Sequence, residues 1–130
     1  MQDRYRFRFW NKETNKWFHF GFETFPTYEK EIWKALTDGE KIYQSTGSKD
    51  DNGKLMYEGD IVKIWKFSKD LHGDNKRIIK WNDARCGFRL YTIDQHKRGI
   101  ENCPQSMVNV TTIEVIGNIF QNPELLSEVK

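Results

Sequence analysis

The segment from Ile42 to Ile64 reverses direction twice, and that demand constrains the rest of the chain more than any other feature. A short apolar strand at Ile42–Gln44 runs into a turn spanning Thr46–Lys54, which gathers Gly47, Asp50, Asp51, Asn52 and Gly53. Gly53 supplies the φ > 0 that a Cβ disfavours, and Asp50, Asp51 and Asn52 offer acceptors to nearby backbone N–H groups. A second corner follows at Glu58-Gly59-Asp60, where Gly59 takes a conformation forbidden to other residues and Asp60 is expected to bond backbone within the turn. The chain leaves as Ile61–Phe67, with apolar residues on both sides, as in a central or barrel strand.

The flanking segments extend this β-pattern. Arg4–Trp10 alternates, with Tyr5, Phe7 and Phe9 on one side and Arg4, Arg6, Arg8 and Trp10 on the other. Asn11–Lys16 is turn material, and Trp17–Phe22 reads as the returning strand of a hairpin. A short helix is expected after Pro26, with Thr27 as cap, Asp38-Gly39 as stop, and Tyr28, Ile32, Ala35 and Leu36, extended by Trp33, on its core face. Trp65–Ile93 reads as a three-strand meander. Asp94–Met107 lacks any period and is expected to be a surface loop. Val108–Phe120 is β-branched and bends at Gly117, and Asn122-Pro123 opens a short terminal helix on which Leu125 and Leu126 pack.

At 130 residues the chain is read as one domain. Its mean hydropathy of −0.83 taken alone suggests disorder. The aromatic content of 15% argues for an ordered core instead, because disordered chains are poor in large apolar side chains. The net charge of +2 neither demands nor excludes an anionic partner. No run is apolar enough to span a membrane and no signal-peptide core follows the start, so the cytoplasm is the expected location. Cys86 and Cys103 are then expected to be free thiols.

Few residues suggest chemistry. Read as a calcium loop, Ser48–Gly53 lacks the first acidic ligand and places Gly59 where a bidentate Glu belongs, so calcium is not expected. Cys86, His96 and Cys103 match no zinc spacing, and His19 and His72 stand alone. Glu58 and Asp60 flank a glycine corner rather than forming an acid–base pair. No catalytic residue, cofactor or metal ligand is assigned, and the chain is read as a non-enzyme. An alternative reading is nucleic-acid binding through Arg4, Arg6, Arg8 and Trp10, with Lys63, Arg77 and Lys80 as a second basic set. The plain reading of the Arg face is a solvated side of a half-buried strand.

Three blocks together resemble the YopX family of phage and prophage proteins. They are Phe7-Arg8-Phe9-Trp10-Asn11-Lys12 with Lys16-Trp17, then Tyr43-Gln44-Ser45-Thr46-Gly47 running through Asn52-Gly53-Lys54 to Tyr57-Glu58-Gly59-Asp60-Ile61-Val62, and Glu114–Phe120 with Asn122–Leu126. Trp17 stands where the family usually has Met. The resemblance implies a mainly β (α+β) fold: a small SH3-like β-barrel with an N-terminal β-hairpin and short helices. Residues 1–41 would supply the hairpin and first helix, and 42–130 the barrel-like part and terminal helix. It implies no catalytic residue. It implies an oligomeric phage or prophage accessory protein of the bacterial cytoplasm, without a stated molecular role. The absence of a chemistry-bearing constellation on a small barrel is what makes a module that binds a protein partner or its own copies the expected function. The glycines and acids at Gly47, Asp50, Gly53, Gly59, Asp60 and Gly117 are read as its structural turns.

Overall fold

The computed structural model describes residues 3–65, 75–100, 106–107 and 112–127. Its first strands are β1 (Arg6–Asn11) and β2 (Lys16–Gly21), the hairpin read from the alternation. They pair antiparallel, with Phe7 opposite Phe20, Phe9 opposite Phe18 and Trp10 opposite Trp17. The Phe7–Phe20 and Phe9–Phe18 rings stack at 5.5 and 4.9 Å, each pair adding about 0.5–1.5 kcal/mol beyond the area it buries.

Helix α1 (Glu29–Thr37) covers this aromatic face. Ile32 and Ala35 are buried against Phe9 and Phe20. Thr27 does not cap the helix; Tyr28 occupies the cap position without a side-chain hydrogen bond. Backbone turns deliver the chain instead, the N–H groups of Thr27 and Tyr28 both donating to the Thr24 carbonyl. The expected core face is also narrower. Trp33 is 56% exposed because it lies about 100° around the axis from Ile32, and Leu36 is exposed too, about 100° beyond the buried Ala35.

Strand β3 (Tyr43–Lys49) is longer than expected and runs into the predicted turn, taking Gly47 with it. Its pairing with β4 (Leu55–Tyr57) slips between Ser45 and Lys49. Hydroxyl acceptors stand in along the irregular stretch: the Gly47 N–H donates to Ser45 Oγ at 3.2 Å and the Ser48 N–H to Thr46 Oγ1 at 3.1 Å. Strand β3 also pairs with β1, giving the order β2-β1-β3-β4. One sheet therefore crosses the division expected between residues 41 and 42.

The second antiparallel sheet has the order β7-β6-β5-β8, from β5 (Asp60–Trp65), β6 (Lys76–Asn82), β7 (Gly87–Tyr91) and β8 (Thr112–Asn118). The expected meander is its first part. Strand β5 is central and apolar on both faces: Val62 and Ile64 pack with Met56, Ile79 and Leu90, while Ile61 packs with Ile78 and Ile93. The bend in β8 is a bulge. Ile61 faces Gly117 and Val62 faces Val115, leaving Ile116 as the extra residue.

Helix α2 (Ile93–Lys97) replaces part of the expected loop. Thr92 and Gln95 form a capping box, a signature present in the letters T-x-x-Q. The terminal helix is a single 3-10 turn, Pro123–Leu126, and its leucines pack on Ile61, Ile78 and Ile93. Asn122 does not cap it. Its Oδ1 accepts from the Asn118 N–H at 3.2 Å, occupying the space a Cβ on Gly117 would need. The expected strand residues Val108–Thr111 and Lys66–Phe67, with His72 and Cys103, lie outside the described residues.

Candidate functional site

The corner at Glu58-Gly59-Asp60 joins the two sheets. Gly59 has φ +91°, its N–H donates to the Ile79 carbonyl at 2.8 Å, and its carbonyl accepts from the Ile119 N–H at 3.1 Å. A Cβ there would stand 3.3 Å from the Tyr43 ring. Glu58 is buried and accepts from Lys41 Nζ at 3.0 Å and from the Trp81 N–H at 3.3 Å.

Asp60 has both oxygens engaged. One accepts from the Tyr57 N–H at 2.8 Å, as expected of a turn residue, and the other from Arg8 at 2.6 Å. Arg8 is only 5% exposed, its guanidinium 3.8 Å from the Trp17 ring centre and 4.4 Å from that of Tyr57. Burial pushes the Asp60 carboxyl above its ordinary value, outweighing the Arg8 charge and the Tyr57 N–H that favour the carboxylate. His19 lies edge-on to Tyr57 at 5.6 Å on an otherwise exposed position, and partial desolvation followed by the Arg8 charge holds its imidazole below the usual value. This centre holds charge in place; its carboxylate oxygens already have partners.

Asp50 reaches further than its turn. Its Oδ1 accepts from the Asn52 and Lys54 N–H groups at 3.0 and 2.8 Å, and its Oδ2 from the Val115 N–H on β8 at 2.9 Å. Burial works against the carboxylate, but these N–H donors prevail and hold Asp50 below its ordinary value. Asp51 docks beside it, exchanging two hydrogen bonds of 3.0 Å with the Ile113 backbone. A loop read as local turn chemistry thus clamps a strand more than sixty residues away.

The basic set does not form one solvated face. Arg8 is buried in its ion pair, and Arg77 is 4% exposed with its guanidinium donating to the Lys76 carbonyl. Both correct the expectation of outward-facing cations, because both faces of these strands are packed. Arg6 pairs with Glu23 at 3.3 Å, and Arg4 sits in a 3-10 turn over the Tyr5 ring. Trp10 stacks on Phe120 at 5.1 Å with an interplanar angle of 5°. Lys63 lies on β5 between Lys76 and Glu114, and Lys80 reaches over the Tyr91 ring. Cys86 is an exposed thiol in the β6–β7 turn, and His96 lies on α2. Among the described residues no group of three or more His, Cys, Asp or Glu is placed to hold a metal.

Among the described residues, two concave regions emerge that single residues did not announce, one of about 400 Å³ beside Lys41, Glu58 and Trp81 and the other against α1. A groove of about 420 Å³ lies between the β1–β2 hairpin and α1, with Phe9, Phe18 and Ala35 among its apolar lining. Charged side chains rim it. Lys12 pairs with Glu40 at 3.1 Å, and Lys34 meets Asp38 at 3.2 Å and Glu13 at 3.6 Å. The Asp38 hydrogen bond and the nearby carboxylates raise the Lys34 ammonium above its ordinary value. Glu31 completes the rim from α1. Its readable signal was the helical spacing of Glu31, Lys34, Ala35 and Asp38, which places them along one side of a helix.

These features define a small, mainly β protein: two four-stranded antiparallel sheets joined at a glycine corner and sealed by aromatic rings. Residues 6–127 match the family model described as YopX protein, and the chain belongs to the YopX family. It is 35% identical over 80 residues to the SPbeta prophage-derived uncharacterized protein YopX of Bacillus subtilis (strain 168), a match covering 60% of this chain and 54% of that protein. The matched region thus spans about half the length of that curated relative. The crystal structure of protein EF1440 from Enterococcus faecalis shares the fold, with a TM-score of 0.54 and 23% identity over 94% of this chain and 97% of that one. No helix among the described residues is long and apolar enough to cross a membrane.

Proposed function

We propose that this chain is a non-enzymatic interaction module that engages a protein partner or further copies of itself, as an accessory protein of a phage or prophage in the bacterial cytoplasm. The carrying observation is a contrast between interior and surface. The buried acids Asp50, Glu58 and Asp60 are tied to backbone and cations as fasteners. The large apolar side chains Phe22, Tyr28, Trp33 and Leu36 instead lie exposed around the end of β2 and along α1, where binding surfaces draw their energy. The prophage origin of the Bacillus relative supports the biological setting.

Strands β3 to β8 are read as an SH3-like barrel. The support is the closure of one sheet on the other through the Gly59–Ile79, Gly59–Ile119 and Asp51–Ile113 backbone bonds. The nucleic-acid alternative is weakened by the burial of Arg8 and Arg77 and by the pairing of Arg6 with Glu23.

Affinity capture from phage-infected or prophage-carrying cells, with sedimentation of the purified chain, tests the reading. A specific partner or a self-associated species, weakened by Trp33→Ser, is the expected result. A monomer at high concentration that captures nothing would overturn it. Anisotropy with labelled oligonucleotides at low salt should show no binding, whereas steeply salt-dependent binding would favour the alternative.

A further inference from the structure

We propose that the groove between the β1–β2 hairpin and α1 docks a cationic, amphipathic segment of a partner protein, a lysine or arginine adjoining an apolar side chain. This rests on the interaction-module reading and names the chemistry of the partner. Two properties of the groove coincide. Its volume of about 420 Å³ falls within the usual range of roughly 300–1,000 Å³ for ligand sites, and Phe9, Phe18 and Ala35 give it an apolar wall. Its rim carries Glu13, Glu31, Asp38 and Glu40 against Lys12 and Lys34. The local charge is therefore −2 on a chain whose net charge is +2.

The rim's own cations do not satisfy it. Lys12 is committed to Glu40, while Lys34 is shared between Asp38 and Glu13. Glu31 has no ion-pair partner among the described residues and stands exposed at the helix edge. A small inorganic cation would leave the apolar wall unused. A neutral hydrophobe would leave the carboxylates unused, and a phosphate backbone would be repelled by them. A basic residue beside an apolar one meets both demands. The charge places the segment and the apolar contact supplies the burial.

The test uses the full chain and short fluorescein-labelled peptides: one alternating Lys and Leu, one alternating Glu and Leu, and one alternating Lys and Gly. The Lys/Leu peptide should bind with salt-sensitive affinity, read by the anisotropy of its fluorescein label, and change the chain's tryptophan emission through Trp10, which lines the groove. The other two should bind at least roughly tenfold more weakly. Combining Glu13→Lys with Glu31→Lys should weaken Lys/Leu binding at least roughly tenfold while the thermal transition stays cooperative and the chain folded at the assay temperature, since both side chains are exposed. Absence of Lys/Leu binding, equal binding of all three peptides, or indifference to the charge reversals would overturn the proposal. The same double variant separates it from its parent reading. A cellular partner captured equally by wild type and variant overturns the groove alone, whereas failure of the wild type to capture or self-associate overturns both.

Discussion

The Arg8 guanidinium on β1 meets the Asp60 carboxylate on β5 at 2.6 Å, across 52 positions of sequence and between the Trp17 and Tyr57 rings. The pair links the first strand of one sheet to the central strand of the other. Asp60 also holds the Tyr57 N–H, so one carboxylate orients both a distant cation and its own turn. Removing one charge leaves its partner buried.

Arg8→Met should therefore cost about 3–5 kcal/mol of stability at neutral pH, as breaking a buried pair does. Urea unfolding followed by tryptophan fluorescence measures it. The deficit should shrink on acidification, because Asp60 then protonates and its burial no longer involves a charge. A deficit independent of pH would show that the loss is packing alone.

Asp50 predicts an acid limb. Its folded carboxyl lies below the ordinary value of 3.8, so its contribution is complete above that pH and is lost as pH falls through the folded value. Asp60 has the opposite sign: its raised carboxyl favours the fold at low pH, and that contribution is lost as pH rises through its folded value. Asp50→Asn should cost about 1–3 kcal/mol near neutrality and flatten the acid limb, measured by denaturation between acid and neutral pH.

Gly59→Ala meets two obstacles, the φ of +91° and the Tyr43 ring 3.3 Å from the new Cβ. A loss of about 1–3 kcal/mol is expected in thermal melts. Gly53→Ala has the same sign of φ but open space around it, and should cost less.

Phe120 bridges the sheets at the aromatic seam, stacked on Trp10 and edge-on to Trp17 and Tyr43 at 5.3 and 5.8 Å. Phe120→Ala should destabilise by about 3 kcal/mol, at the low end for a large ring because the side chain is only half-buried. Tryptophan emission should shift red in the native state, since Trp10 and Trp17 lose their shared cover.

Trp33→Ser should leave stability within about 0.5 kcal/mol, because the side chain is largely exposed. Its effect should appear in association, read by sedimentation or partner capture. Destabilisation without a change in association would place Trp33 in the fold rather than the interface.

Much of the architecture was legible because it is written in short-range pattern. Alternation within Arg4–Trp10 and the aromatic run of Trp17–Phe22 specified the hairpin, though Arg4 and Tyr5 belong to a 3-10 turn before it. Apolar residues on both sides of the strand from Ile61 specified a central strand, and Gly117 marked the bend of β8. The capping box at Thr92 and Gln95 was equally local but straddled the end of a strand reading at Ile93 and the start of the aperiodic Asp94–Met107 segment, where polarity read as loop. Alternation also assigns Arg8 to the side opposite the phenylalanines. It does not say whether that side meets water or another sheet.

The chain's own letters determined the hairpin, the Asp50–Gly53 and Gly59 turns and the central strand, because φ preferences and side-chain period act within a few positions. Tertiary structure alone decided that Asp50 clamps β8, that Arg8 is interior, and that the hairpin and α1 enclose an acidic-rimmed groove. Each of these depends on groups far apart along the chain. Burial and charge pairing are properties of the space between such groups, and that space exists only after the sheets close on one another.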